Sequence, residues 1–473
     1  MNRLKLGFCP TRRFTFSKED ALRYKNSILT IISQYKDIDI IDIDDINEEG
    51  LLYDRIEDCE RIITKMRAAE VDALFIPHCN FGTEDSVARV AKALGKPVLL
   101  WGPRDEDPLE DGMRLRDTQC GLFATGKVLR RFGVKFTYIP NTAPESAEFK
   151  RGFETFIRAA LAVKVFYKTR ILQISTRPAG FWTMICNEGE LLERFGIECH
   201  PITLIDLQDK TLEIEAAGMT ELDTATADIM AKVDCSGWEE KQVRRVAALK
   251  LAVRSFADEF HCNAVAIQCW SAMQQSLGIM PCLANAILTD EGLPVTCETD
   301  IHGAITAVIA HAAAGYQSAP FFADITVRQS SNENGELLFH CGNFPPSLLK
   351  DGKSKFCGHF LFDSHAPGTH EGEIRGGEVS IIRFDGDNGE YSLFLGKAKG
   401  STGKFTRGTY LWIEVNDWPK WEEHLVCGPY VHHCVGIHSN VIPALYEACK
   451  YIGVKADLID PTEDEVKAWM RGR

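Results

Sequence analysis

The first third of the chain alternates short apolar runs with amphipathic stretches. Leu4–Phe8 predicts a strand, Lys18–Tyr35 a helix and Asp37–Asp42 a second strand. A helical stretch at Tyr53–Ala69 follows, then a strand at Ala73–Pro77, a helix at Asp85–Leu94 and a strand at Pro97–Trp101. This is the βαβ rhythm of a parallel, doubly wound sheet. Beyond a long apolar-periodic helix, Ala147–Tyr167, the alternation restarts. It gives a strand at Arg170–Ser175, a helix through Glu193, a strand near Cys199–Leu204, a helix at Glu239–Glu259 and a strand at Ala264–Cys269.

From about Asp324 the texture changes. Strand-like segments at Leu337–Cys341, Glu378–Phe384, Tyr391–Lys399 and Thr409–Val415 follow one another across Gly-rich turns such as Asp385–Gly389. That spacing predicts antiparallel β structure. A helix at Asn440–Ile452 and a strand at Lys455–Leu458 close the chain. The pattern therefore predicts an α/β fold of two tandem doubly wound parallel-sheet domains, 1–168 and 169–323, then a mainly antiparallel β domain, 324–473.

Length and composition fit that division: 473 residues at about 150 per domain give three. With 45% hydrophobic and 25% charged residues, disorder and coiled coil are excluded. A net charge of -14 speaks against nucleic acid and anionic membrane as partners. Sixteen cysteines without a CxxC pair argue against a zinc ribbon or thioredoxin-type site. The opening residues lack the apolar core of a signal peptide, and no apolar run reaches the ~20 residues of a membrane span. Buried thiols in the reducing cytoplasm are the expectation. Cys9–Arg13 stands where a dinucleotide site would carry GxGxxG, and no GxSxG, P-loop or HExxH occurs.

Four places carry candidate chemistry. Pro294–Asp300 delivers Glu298 at a strand tip, where open α/β sheets place ligands; the plain alternative is that Glu298 and Asp300 cap the next helix. Asp324 interrupts the apolar run Ala319–Ile325, and a buried carboxylate is costly unless paired. His340 ends a strand, a position where a histidine is more often a satisfied core residue. His432 and His433 adjoin in Gly428–His438; on an extended strand they face opposite ways, so one at most enters a given metal shell. Two carboxylates with one or two imidazoles suit Mn²⁺ or Mg²⁺ better than a thiolate-seeking ion. The nearby Cys297, Cys341 and Cys434 are too scattered for a structural zinc site. A rival set, Ser364–Glu373, has metal-site ingredients but sits in a Gly/Pro loop.

In order and spacing, Glu298, Asp324, His340 and His432-His433 within this domain pattern resemble the L-fucose isomerase/L-arabinose isomerase family. The resemblance implies a metal-dependent aldose–ketose isomerase, an intramolecular oxidoreductase acting on a pentose or 6-deoxyhexose through a cis-enediol. It implies a divalent ion, Mn²⁺ with Mg²⁺ or Co²⁺ as alternatives, held by Glu298, Asp324, His433 and His340. His432 is then a substrate contact or the alternative ligand. Glu298 and Asp324 become the proton-exchanging acids. The chain is shorter than typical fucose isomerases, and the His340–Asn343 stretch is unlike the arabinose branch, which marks a divergent member. Family members are homo-oligomers, so a hexamer or trimer is implied, with a neighbour's first domain closing the sugar site. Polar and aromatic groups at strand tips are the substrate candidates: Asn80 and Phe81, Gln268 and Trp270, and Arg177. The competing reading is a non-catalytic cytoplasmic sugar-binding protein with two α/β lobes.

Overall fold

Five strands open the chain: β1 (Leu4–Phe8), β2 (Ile38–Ile41), β3 (Ala73–Pro77), β4 (Val98–Trp101) and β5 (Thr137–Tyr138). They pair in parallel in the order β2-β1-β3-β4-β5. The computed structural model describes residues 3–53, 55–361 and 365–472. Every residue of β3 and β4 is buried, as the uninterrupted apolar runs demand of strands covered on both faces. On one face Ile62, Met66, Leu74, Ile76, Val87 and Leu122 form the core. On the opposite face of the sheet Phe75 and Trp101 meet Phe149 and Phe153 ring to ring. Strand order reverses between β1 and β3, and the loops after those strands carry Thr11–Arg13 and His78–Thr83.

A helix at Thr118–Arg131 lies outside the sequence expectation. Its two glycines weaken the helical signal, yet Leu122, Thr125 and Leu129 fall on one buried stripe. Gly121 lets that helix approach the Phe81 carbonyl, where a Cβ would collide. This unit comprises residues 1–164 together with 450–453 and 463–473.

The second unit, 165–449 with 454–462, holds two sheets. The smaller is again parallel, ordered β10-β9-β6-β7, from β6 (Arg170–Ile174), β7 (Glu198–Ile202), β9 (Ala264–Ile267) and β10 (Val295–Thr296). Two helices unforeseen from the pattern, Leu204–Ala217 and Thr220–Lys232, bury Leu207, Ile214, Leu222 and Ile229 in its core.

The larger sheet has ten strands and adds β8 (Val233–Asp234), β11 (Phe321–Arg328), β12 (Gly335–His340), β13 (Ser354–Gly358), β14 (Pro367–Glu373), β15 (Glu378–Asp387), β16 (Glu390–Gly400), β17 (Thr409–Glu414), β18 (His433–Ile437) and β19 (Lys455–Asp460). Within it β16-β15-β18-β11-β12-β17 run antiparallel, and a β16–β17 pairing returns the last strand to the first. The six strands thus close a barrel around Phe321, Leu338, Ile381, Phe394, Leu411 and Trp421. Gly436 on β18 leaves room for the Phe321 ring, and Gly396 on β16 for Trp421; a Cβ at either would overlap the ring. Parallel sheets first and antiparallel β structure later match the predicted class. No helix among the described residues is long and apolar enough to cross a membrane.

Glu336 on β12 is only 2% exposed. Burial pushes its pKa from 4.5 up to about 7, with the Glu422 charge adding to the shift. The folded state therefore holds this proton more tightly than the unfolded chain. Its contribution is present below the unfolded pKa and is lost as pH rises through the folded one. Glu336→Gln should gain stability over the parent between about pH 5 and about pH 8, measured by urea unfolding at both; a constant difference would refute the assignment.

Candidate active site

The site is built where the parallel sheet and the barrel of the second unit each end a strand. After β10 the backbone makes two consecutive left-handed steps, Glu298 at φ 54° and Thr299 at φ 56°. Neither residue is glycine, so each step costs on the order of 1–3 kcal/mol. The Thr299 amide donates to the Ile267 carbonyl at 3.1 Å and holds the turn against β9. Asp300 then caps the helix Ile301–Ala313, accepting from the Gly303 amide at 2.8 Å. The capping reading belongs to Asp300; Glu298 turns away from the helix.

On the barrel side, β11 places Asp324 opposite His433 of β18 and opposite Phe339 of β12. Facing residues of antiparallel strands bring their side chains together on one face. His433 Nε2 lies 3.3 Å from Asp324 Oδ1 and 3.8 Å from Glu298 Oε2. His340 Nε2 is 3.7 Å from the same Glu298 oxygen. Four of the predicted residues therefore converge. Glu298 Oε2 and Asp324 Oδ1 are both buried and find no hydrogen-bond donor among the described residues.

His433 is oriented from behind. Its Nδ1 bonds Asp300 Oδ2 at 2.9 Å, which leaves Nε2 turned toward the two carboxylates. Asp300 is in turn gripped by both terminal nitrogens of Arg383, Nη2 lying 3.2 Å from Oδ1. Arg383 Nε donates to Asp385 Oδ2 at 2.8 Å, and Asp385 Oδ1 meets His302 Nδ1 at 2.9 Å. Asp300 and Arg383 are each about 2% exposed at the side chain. Burial opposes ionisation of Asp300, yet the Arg383 guanidinium and His433 hold its pKa well below the carboxylate range.

Glu298 follows the same logic. Burial raises its pKa, but His340 and His433 outweigh that and leave it lowered. For His340, burial disfavours the imidazolium, while Glu298 and Asp324 raise its pKa overall. Arg383 pairs with Asp300 and Asp385, while Glu298 and Asp324 have only imidazoles beside them, so a cation would offset the negative charge gathered at those two acids.

The expected opposition of His432 and His433 does not hold. Strand β18 begins at His433, so the alternation of an extended ladder does not reach His432. The two rings lie 4.3 Å apart, and both offer a nitrogen within 4.8 Å of the Asp324 carboxylate. His432 is exposed where His433 is buried.

The remaining candidates divide between two places. Gln268 and Trp270 line a cavity of about 440 Å³ with Pro178 and Phe181, at the reversal of strand order between β6 and β9. Gln268 accepts from Ser175 Oγ at 2.8 Å, and Trp270 packs edge-on to Phe181. Arg177 braces that loop through the Phe181 carbonyl at 3.4 Å. Between Gln268 and Trp270, Cys269 Sγ donates to Glu298 Oε1 at 3.1 Å and ties this cavity wall to the acids. Asn80 and Phe81 belong to the first unit. Asn80 is fully buried and accepts from the Arg13 amide at 2.7 Å, while Phe81 stacks on Phe16 beneath the Arg13 guanidinium.

Of the rival set, Ser364 lies outside the described residues. His370 is buried against Ser354 at 2.8 Å, and Glu371 and Glu373 pair with Arg407 and Lys350. Those partners keep them apart from a shared centre. Asp300, Arg383 and Asp385 escaped the sequence reading as site residues. Arg383 left a signal, a lone charge within the apolar run Ile381–Phe384.

Residues 7–167 match the fucose/sulfoquinovose isomerase N-terminal domain, and residues 338–460 the L-fucose isomerase C-terminal domain. A sulfoquinovose isomerase of Priestia aryabhattai is 23% identical over 345 residues, 72% of this chain and 75% of the relative. One from Alkalicoccus urumqiensis is 25% identical over 331 residues, 69% and 72% of the two chains. Among solved structures, a periplasmic solute binding protein of Actinobacillus succinogenes with bound D-allose aligns over 62% of this chain and 83% of its own. Its identity is 13% and its TM-score 0.16, too slight to bear on the fold.

Arg383→Met should remove the charge that keeps Asp300 ionised in the interior. Breaking a buried pair from one side costs about 3–5 kcal/mol, so the urea midpoint should fall sharply. Arg383→Lys, which keeps charge but loses the fork, should lose less; equal losses would show that charge without the planar fork contributes nothing there.

Proposed function

This chain belongs to the L-fucose isomerase-like family and is an isomerase, and on that premise we propose that it interconverts an aldose and a ketose at a divalent metal held by Glu298, Asp324 and His433. The observation that carries the reading is the pair of donorless buried oxygens, Glu298 Oε2 and Asp324 Oδ1, facing the Nε2 of an imidazole whose other nitrogen is fixed by a carboxylate. Metal-ligating histidines are oriented in this way. Oxygen-rich ligands with one or two imidazoles favour Mn²⁺, with Mg²⁺ or Co²⁺ as substitutes. His340 and His432 stand at the edges of the same centre, His340 as a further ligand and His432 toward substrate.

A bound divalent ion would polarise the sugar carbonyl and offset charge growing on O1 and O2. The protein supplies the proton traffic. Glu298 is enclosed and accepts from Cys269, which suits a fixed ligand role. Asp324 keeps about a quarter of its side chain exposed and is the acid placed to take the C2 proton of the aldose and return it to C1 of the cis-enediol. His340, with its raised affinity for a proton, and His432 are within reach of the centre to assist the exchange between O2 and O1. Gln268 and Trp270 offer a hydroxyl contact and a stacking face at the neighbouring cavity.

The substrate class is a pentose or 6-deoxyhexose; sulfoquinovose, named in the activity of the relatives, belongs to the same test set. We place the protein in the cytoplasm, a reading supported by sixteen unpaired cysteines. A homo-oligomer, hexamer or trimer, with Phe81 acting on a neighbour's site, completes the proposal; Asn80, fully buried against the Arg13 amide, instead holds the loop that carries Phe81.

Glu298→Gln and Asp324→Asn should both abolish ketose formation while leaving a cooperative melt. Near-normal turnover of either variant in saturating Mn²⁺ would remove that residue from the mechanism. His433→Ala should bind Mn²⁺ at least about 10–100-fold more weakly by calorimetry, since even losses behind the ligands cost that much. His432→Ala should instead alter sugar KM or turnover at unchanged metal affinity; a selective loss of Mn²⁺ binding there would exchange the two roles.

A further inference from the structure

The Glu298 carboxylate has two faces, and the metal proposed above uses one of them. On the other face stand two thiols. Cys269 Sγ lies 3.1 Å from Glu298 Oε1, and Cys297 follows from the residue before it. The ligand atoms of Cys269, Cys297 and Glu298 all fall within 4.8 Å of one another. All three residues are buried, at 2%, 0% and 4% exposure. Asn285 Nδ2 faces Cys297 Sγ at 3.7 Å and its Oδ1 is buried without a partner.

We propose that Cys269, Cys297 and Glu298 form a second cation site, selective for thiophilic divalent ions such as Zn²⁺ or Cd²⁺ and sharing Glu298 with the isomerase centre. The spacing is right for such an ion. Bonds of about 2.3 Å to sulfur and about 2.0–2.2 Å to oxygen in a tetrahedron set ligand atoms roughly 3.5–4 Å apart, inside the observed limit. Three protein ligands leave a fourth position open, as in zinc sites that exchange a ligand. The donor set also separates the ions: two sulfurs attract Zn²⁺ and Cd²⁺, whereas Mn²⁺ prefers the oxygen and imidazole face across the carboxylate.

The proton balance is simple. Cys269 donates its thiol proton to Glu298 Oε1, and each of the two cysteines carries one proton at rest. Loading the ion releases two protons to solvent as two metal–thiolate bonds form, with no change of oxidation state. Because Glu298 would serve both cations, occupation of the thiol face withdraws it from the other centre. That consequence rests on the isomerase reading; the site itself does not.

Co²⁺ titration followed by near-ultraviolet absorption tests the site, because a thiolate-to-cobalt charge-transfer band reports sulfur ligation alone. The reduced full-length protein should develop the band saturably, and Zn²⁺ should bleach it while equimolar Mn²⁺ should not. Asp324→Asn/His433→Ala, which dismantles the proposed Mn²⁺ centre, should retain the band. Cys269→Ser/Cys297→Ser, checked for a cooperative melt, should lack it. Absence of the band in the parent protein would overturn the inference without any variant. Loss of the band in the Asp324/His433 variant, or persistence in the cysteine variant, would overturn it equally. A band that forms in a protein without Mn²⁺-dependent isomerisation would leave this site standing and remove the Mn²⁺ centre proposed above instead.

Discussion

A carboxylate buried at Asp300 must be paid for by fixed positive partners, and the second unit is arranged around that demand. Its oxygens cap one helix, receive the fork of Arg383 from β15 and hold the ring of His433 at the start of β18. One side chain therefore links the end of the parallel sheet to two strands of the barrel. Each partner contributes a different kind of restraint. The helix amide fixes the carboxylate's position, the guanidinium fixes its plane, and the imidazole takes its orientation from both.

The same constraint explains why the reactive groups are poised rather than satisfied. His433 spends one nitrogen on Asp300, and the other is directed by default at Glu298 and Asp324. Glu298 reaches that position only because the backbone after β10 accepts two left-handed steps, held down by the Ile267 carbonyl. Local strain at the turn and negative charge gathered at Glu298 and Asp324 point in one direction: the polypeptide tolerates both where a cation would relieve the second.

Strands read most clearly from the sequence. Leu4–Phe8 and Ala73–Pro77 have the predicted bounds, because buried parallel strands are continuous apolar runs flanked by polar loops. The helix Thr118–Arg131 was hidden by Gly121 and Gly126; at Gly121 the smallness serves packing rather than propensity. At the site, Glu298 and His433 were legible because an acid and a histidine at strand ends are unusual, and Asp324 because a carboxylate interrupts the apolar run of β11. Asp300 and Arg383 were not, since their meaning lies in a pairing across 83 residues that no local pattern encodes. His432 misled for a related reason: period-two reasoning needs a strand, and the strand starts one residue later.

The first unit is completed by residues from the far end of the chain. Tyr451 donates to the Val98 carbonyl beside β4, and Trp469 receives Arg151 over its ring and at its carbonyl. During synthesis the amino-terminal sheet therefore emerges long before the residues that finish it. Its strands and helices can form as they leave the ribosome, but this unit waits for residues 450–453 and 463–473 to reach its final packing. Emergence of those residues, rather than of the first sheet, marks the moment at which that packing can close.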